Sequence, residues 1–265
     1  MGGLRKPRNR ILCGDIAGRV EALGVGVARL EEGDEVYGVG RGGLAEWVLA
    51  KEVNLVKKPG NVGFAEAAAV PVAGITALQG LRKGGIKVGQ KVLVYGSSGG
   101  VGTFAVQIAK SFGAEVTAVC NTDHLDAARS MGADHVVDYT RDDVMKDGQT
   151  YDLILAVNGF RSIFALRRAL APRGVYVFVG SSKLWRALLM NLILGPLISR
   201  LGKRKMGFMG AKIKQEDLQY LAGLLESGKV NPLISKSYPL NEAADAFRQV
   251  GEGHAGGKVI ARVSD

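Results

Sequence analysis

The stretch KVLVYGSSGGVGTFAVQIAKSF, residues 91–112, sets the fold class. Lys91 to Tyr95 is a short apolar run of strand length, and Val101 to Phe112 places apolar residues at helical spacing. The glycines between them therefore occupy a strand-to-helix turn. Gly96, Gly99 and Gly102 recur at every third position across it. A glycine pattern alone is weak, but at this place it lets backbone approach a pyrophosphate, while the helix start presents unpaired N–H groups and a positive dipole end. A dinucleotide suits such a turn, with Gly96, Ser97, Ser98, Gly99, Gly100, Val101 and Gly102 as contacts. The plainer alternative is a tight turn whose Gly100 and Gly102 only let helix and strand pack closely.

Strand and helix alternate downstream: strands at Glu115 to Cys120, His135 to Asp138, Leu153 to Val157 and Val175 to Val179, helices at His124 to Met131 and around Ile163 to Leu170. Repeated strand–helix–strand units predict a Rossmann-type, doubly wound parallel sheet with helices on both faces, an α/β fold. Upstream, Ile16 to Leu23, Glu35 to Tyr37, Leu44 to Leu49 and Asn54 to Val56 read as short strands between glycine turns. Helix-forming alanines follow from Phe64, with Pro71 and Gly74 as interruptions before Ile75 to Leu81. The last quarter reads as a helix at Gln215 to Ser227, a strand near Ile234 to Tyr238, a helix at Asn241 to Val250 and a strand at Lys258 to Val263. Tyr37 reads as a core residue rather than a proton donor.

In dinucleotide folds the 2′ position of the adenosine ribose is read where the second strand ends, and an acid there favours NAD. Here that strand ends Val119-Cys120-Asn121-Thr122, with no acid at the expected place. Asn121 and Thr122 can donate to a 2′-phosphate, which favours NADP(H) over NAD(H). Against this, Asp123 follows at once, no Arg or Lys stands in that loop, and His124 supplies at most a partial charge near neutral pH.

The chain has 265 residues, 38 of them glycine, about twice the usual share of roughly 7%. With 47% hydrophobic residues it is no disordered tail, and the glycines must mark tight turns. Its net charge of +10 suits a polyanion or an anionic membrane surface, but aromatic residues are only 6% and no RNA-reading motif is present, so no nucleic acid is expected. Two cysteines, Cys13 and Cys120, and three histidines exclude a disulfide framework and argue against a zinc cluster. The expected setting is reducing and cytoplasmic. Leu184 to Leu201 is apolar but broken by Arg186, Asn191, Gly195, Pro196 and Arg200. It reads as a buried or pocket-lining helix, or, with the basic run Lys203-Arg204-Lys205, as a peripheral membrane contact over 184–205.

GSSGGVGTFAVQIAKSFGAEVTAVC, with AAAVPVAGITAL, AGRVEALGVGVARLEEGDEVYG and GGLAEWV upstream and YPLNEAADAF and GHAGGKVIARV at the end, resembles the medium-chain dehydrogenase/reductase superfamily, in particular its zinc-free quinone oxidoreductase-like branch. The resemblance implies a Rossmann domain over 72–211 and a GroES-like β-rich catalytic domain over 1–71 and 212–265. Members usually begin with further strands before the point matching Met1, so the catalytic domain is expected to be shortened. Where zinc-dependent relatives have Gly-His-Glu, this chain has Cys13-Gly14-Asp15, which implies no catalytic zinc.

The resemblance also implies roles for particular residues. Ser98, Gly100 and Val101 match pyrophosphate contacts, and Asn121 and Tyr139 match positions facing the 2′-phosphate. Val157, Phe178 and Gly180 match positions near the nicotinamide, and His254, Ala255 and Gly256 a C-terminal turn that approaches the cofactor. Thr76 resembles the hydroxyl beside the nicotinamide and is the one catalytic candidate. Tyr139 could equally be a surface ring, His254 a polar turn residue, and Thr76 an interior helical threonine bonded to its own backbone. The implied activity is hydride transfer from NADPH to a quinone or an α,β-unsaturated carbonyl. A catalytically weak cofactor-binding scaffold and an NADH-linked alcohol dehydrogenase are the competing readings. A homodimer is implied, with the strand around Gly174 to Val179 as its expected seam.

Overall fold

The computed structural model describes residues 11–157, 161–180, 203–253 and 255–263. Short runs between glycine turns open the chain as an antiparallel sheet of β1 (Asp15–Arg19), β2 (Glu35–Arg41) and β3 (Leu49–Lys57), with β2 in the middle. The ladder between β2 and β3 shifts register between Gly38 and Gly40. Gly38 sits at φ +155°, and a Cβ on it would lie 2.0 Å from the Asn54 carbonyl oxygen, so no other residue fits the crossing. The strand expected over Leu44 to Leu49 is met only at Leu49, where β3 begins, and the one expected over Asn54 to Val56 is the end of β3. Polar Lys51, Glu52 and Asn54 hide the strand pattern, but outward or half-covered positions tolerate them.

Two helices follow, α1 (Phe64–Ala69) and α2 (Pro71–Lys83). Pro71 opens α2, where its missing N–H costs nothing. Gly74 does not interrupt α2. A Cβ there would come within 3.0 Å of the Leu221 side chain, so this glycine serves close packing. The Asp15 carboxylate accepts from the Val72 N–H (3.2 Å) and pairs with Lys258 (3.2 Å), which places a negative group at the positive end of α2.

The chain divides into two compact units, one of residues up to Ile75 together with Ile213 onward, the other Thr76–Lys212. The second unit holds β4 (Lys91–Tyr95), α3 (Gly100–Ser111), β5 (Glu115–Cys120), α4 (Leu125–Ser130), β6 (His135–Asp138), β7 (Tyr151–Ala156), α5 (Ile163–Ala169), β8 (Leu170–Phe178) and β9 (Lys205–Phe208). All six strands are parallel, in the order β6-β5-β4-β7-β8-β9. The chain thus winds outward from β4 in one direction and then returns to wind out in the other, the doubly wound α/β arrangement expected. Four of the five residues of β4 are buried, as a central parallel strand requires.

β8 pairs with β7 on one side and β9 on the other, so it is an interior strand and not the expected dimer seam. β9 opens on Lys205, and its KMGF has the look of a basic loop, while Arg204 donates to the Ala171 carbonyl (3.2 Å) and so ties the run to β8. Residues 184–201 lie outside the described residues. Among the described residues no helix is long and apolar enough to cross a membrane.

The remainder of the first unit is α6 (Gln215–Glu226), β10 (Ile234–Pro239), α7 (Ala243–Gly251) and β11 (Lys258–Arg262), with β10 and β11 forming a parallel pair. Leu218, Leu221, Leu224 and Leu225 give α6 its buried stripe. Tyr37 is fully buried and its hydroxyl donates to the Leu218 carbonyl (2.9 Å), which makes it the core residue expected. Burial pushes its phenol well above the ordinary range, so it holds its proton.

Candidate functional site

Parallel pairing brings the carboxyl ends of the second unit's strands to one edge. Tyr95 lies opposite Val119 and Ala156, Cys120 opposite Asp138, and Ala156 opposite Phe178. The residues that follow each strand end therefore emerge side by side: Tyr139, Asn121, Gly96, Val157 and Val179. Backbone bonds continue past the strands and fix this edge, Tyr139 N–H to the Cys120 carbonyl, Val157 N–H to that of Tyr95 and Val179 N–H to that of Ala156, each 3.0 Å. β4 is the strand where the winding reverses, and open α/β sheets bind ligands at that place.

The turn after β4 is built for close approach. Gly96 sits at φ +86°, a left-handed conformation that glycine adopts without strain. A Cβ on Gly102 would lie 2.1 Å from the Gly96 carbonyl oxygen and 2.7 Å from Ser97 Cα, so α3 packs directly on the turn. Gly99 precedes α3 and makes no side-chain cap bond, which leaves the helix start open to an anion. Ser98, Gly99 and Gly100 are partly exposed, whereas Ser97 is buried and its hydroxyl donates to the Val119 carbonyl (3.0 Å). The Ser97 N–H donates to the same carbonyl (3.0 Å), so Ser97 holds the turn against β5 and leaves the ligand contacts to the residues after it.

Beyond β5, Asn121 leads into a 3-10 turn, Thr122–His124. Asn121 Oδ1 is buried without a hydrogen-bond partner, and Nδ2 reaches Asp123 at 3.4 Å. A buried acceptor left unpaired costs free energy, and a ribose hydroxyl is a donor that would satisfy it. The glycine cradle and this orphaned oxygen both fit the adenosine and pyrophosphate of a dinucleotide.

Thr122 behaves differently from the expectation that it donates to a phosphate: its hydroxyl donates to Asp138. Asp138 also accepts the Thr140 hydroxyl (2.7 Å) and N–H (2.9 Å). The Thr122 bond first, then those from Thr140, hold its carboxyl below the usual carboxylate range. A carboxylate depressed in the folded chain adds stability above its unfolded pKa, and that contribution is lost as pH falls through the lower folded value. Asp138→Asn is therefore expected to lower the melting temperature at neutral pH, with the gap to the parent closing in acid. Thermal unfolding across pH checks this, and a gap independent of pH would contradict it.

Two residues at this edge were invisible in the sequence. Arg161 lies over the Tyr95 ring (5.5 Å to the centroid) and 3.9 Å from Asp143. Burial raises the Tyr95 phenol, and Arg161 offsets part of that rise. Arg141 stands 3.7 Å from Asp138. Both are distant in sequence from the glycine turn, so only strand register brings them to the edge. Tyr139 is partly exposed there, Val157 and Gly180 follow β7 and β8, and the ring of Phe178 is buried away from solvent. Thr76 is buried in α2, Ala255 and Gly256 belong to the other unit, and His254 lies outside the described residues. Among the described residues no three His, Cys, Asp or Glu are grouped to hold a metal ion.

Residues 2–80 match the alcohol dehydrogenase GroES-like domain and residues 131–260 the zinc-binding dehydrogenase family. The chain is 37% identical to a chloroplast envelope quinone oxidoreductase homolog of Arabidopsis thaliana, over 93% of this chain and 78% of that one. It is 33% identical to a chloroplastic NADPH-dependent alkenal/one oxidoreductase of the same plant, over 93% of this chain and 62% of the relative. The structure of the quinone oxidoreductase from Coxiella burnetii superposes with a TM-score of 0.84 at 27% identity, covering 96% of this chain and 79% of that one. With the fold, the glycine turn and these likenesses in agreement, the chain belongs to the medium-chain dehydrogenase/reductase superfamily, among its quinone oxidoreductase-like members.

Proposed function

We propose that the protein is a zinc-independent, NADPH-dependent oxidoreductase that reduces a quinone or an α,β-unsaturated carbonyl. The observation that carries the dinucleotide is the open glycine turn at the reversal of the sheet, where Gly102 admits no side chain and Asn121 Oδ1 lacks a donor, and NADPH over NADH rests on the absence of an acid where β5 ends. The named activities of the quinone and alkenal/one oxidoreductases support the acceptor class. When bound, the nicotinamide supplies a hydride from its C4 position.

This chain's own part is mostly positioning. The start of α3, at Gly100 and Val101, binds the pyrophosphate, and Asn121 and Tyr139 hold the adenosine end. The Thr76 hydroxyl is the proposed donor toward the oxygen that gains electron density, with the final proton drawn from solvent. Zinc independence rests on the donor set, since Gly14 stands where a histidine ligand would be needed. We further propose a cytoplasmic homodimer, with free Cys13 and Cys120 suited to a reducing compartment. Sedimentation would report the assembly.

Mixing the purified protein with NADPH and a panel of quinones and enones tests the activity. The expected result is acceptor-dependent oxidation of NADPH that is faster than that of NADH. Cofactor binding without acceptor-dependent oxidation would instead make the protein a cofactor-binding scaffold, and a preference for NADH with alcohols would make it an alcohol dehydrogenase.

A further inference from the structure

The loop after β5 offers a 2′-phosphate no Arg or Lys of its own, and the hydrogen of the Thr122 hydroxyl is committed to Asp138. A cation stands in the turn after the next strand. Because Cys120 lies opposite Asp138, the turn after β6 stands beside the turn after β5. That turn is fastened onto Asp138: the Arg141 and Asp142 N–H groups both donate to its carbonyl (3.1 and 2.9 Å), and the Thr140 N–H to its carboxylate. The Arg141 guanidinium then reaches the same carboxylate oxygen that Thr122 uses, at 3.7 Å from Nε.

We propose that Arg141, steered by Asp138, receives the 2′-phosphate of NADPH and sets the preference over NADH, an inference that rests on the NADPH reading above. Arg141 reaches through Nε the Asp138 oxygen that Thr122 also uses, and its side chain is 73% exposed, which leaves the rest of the guanidinium fork to solvent. A planar fork of this kind matches phosphate oxygens in pairs. Among the described residues, Arg129 is engaged with Asp126 at 2.6 Å and Arg161 lies over Tyr95. Asp138 does not repel the phosphate at full strength, because two threonine hydroxyls and Arg141 already answer its charge.

Adenosine 2′,5′-bisphosphate and adenosine 5′-monophosphate are the probes, titrated calorimetrically into the full chain with no turnover involved. The parent is expected to bind the bisphosphate more tightly, and that advantage should shrink with added salt. Arg141→Gln is expected to lose about tenfold to a hundredfold in affinity for the bisphosphate and nothing for the monophosphate. Arg141→Lys should recover part of the loss. A parent that binds both probes equally overturns the NADPH reading itself. A parent that discriminates, with an Arg141→Gln variant that discriminates equally well, overturns only the role of Arg141.

Discussion

Replacing Gly102 by alanine is expected to destabilise the chain by roughly 3 kcal/mol or more and to abolish cofactor binding. The added methyl would lie 2.1 Å from the Gly96 carbonyl oxygen and within 3 Å of Ser97 Cα and its carbonyl carbon. All of these are backbone atoms, so no side chain can rotate aside. Alanine is the better helix former by about 1 kcal/mol, which this clash outweighs. To relieve it, α3 must move off β4, and the helix start that faces the pyrophosphate moves with it.

Gly99→Ala separates the two effects. There the nearest atom to a new Cβ is 3.7 Å away and φ is −77°, so the fold should survive within about 1 kcal/mol of the parent. The methyl nevertheless stands at the mouth of the turn, and cofactor affinity should drop. Thermal unfolding paired with cofactor titration reads both outcomes. A Gly102→Ala protein that melts like the parent would show that close helix packing is not what this glycine serves.

Local patterns made most of the sheet of the second unit legible, because β4, β5, β6, β7 and the Val175–Phe178 end of β8 are short runs of mainly apolar residues flanked by a turn or a helix. β9 escaped because its KMGF begins with a lysine and has two apolar residues, and its place is fixed by pairing with β8 rather than by its own composition. The same limit applied at the site. The glycine turn could be read because its three glycines are close in sequence, and Asn121 because it follows the next strand end. Asp138 read only as the last residue of a strand, and nothing in the sequence singled out Arg141. What joins them to Thr122 is parallel register across a gap of 16 to 19 residues, which no local period records.

Gly74 shows the converse. Its helix-breaking propensity is real, but a contact with Leu221, far along the chain, decides that α2 continues through it.

Phe178→Ala is expected to cost roughly 3–5 kcal/mol of stability while leaving cofactor affinity in the folded protein unchanged. The resemblance puts Phe178 near the nicotinamide, yet its side chain is 1% exposed and packs in the cluster with Ile154, Tyr176 and Met206. Its ring lies 6.1 Å from that of Phe208, tilted at 39°, so β8 and β9 are joined by aromatic contact as well as by their ladder. Side chains alternate along a strand, so a residue whose ring fills this core cannot also present it at the sheet's edge. What β8 offers a ligand comes after it, at Val179 and Gly180, and a Cβ on Gly180 would already touch the Val157 carbonyl at 3.4 Å. Phe178→Leu, which keeps most of the volume, should lose less than about 1.5 kcal/mol. Thermal unfolding of both variants, with cofactor titration well below their melting temperatures, decides the matter. A Phe178→Ala protein of parental stability and weakened cofactor binding would return the ring to the nicotinamide side.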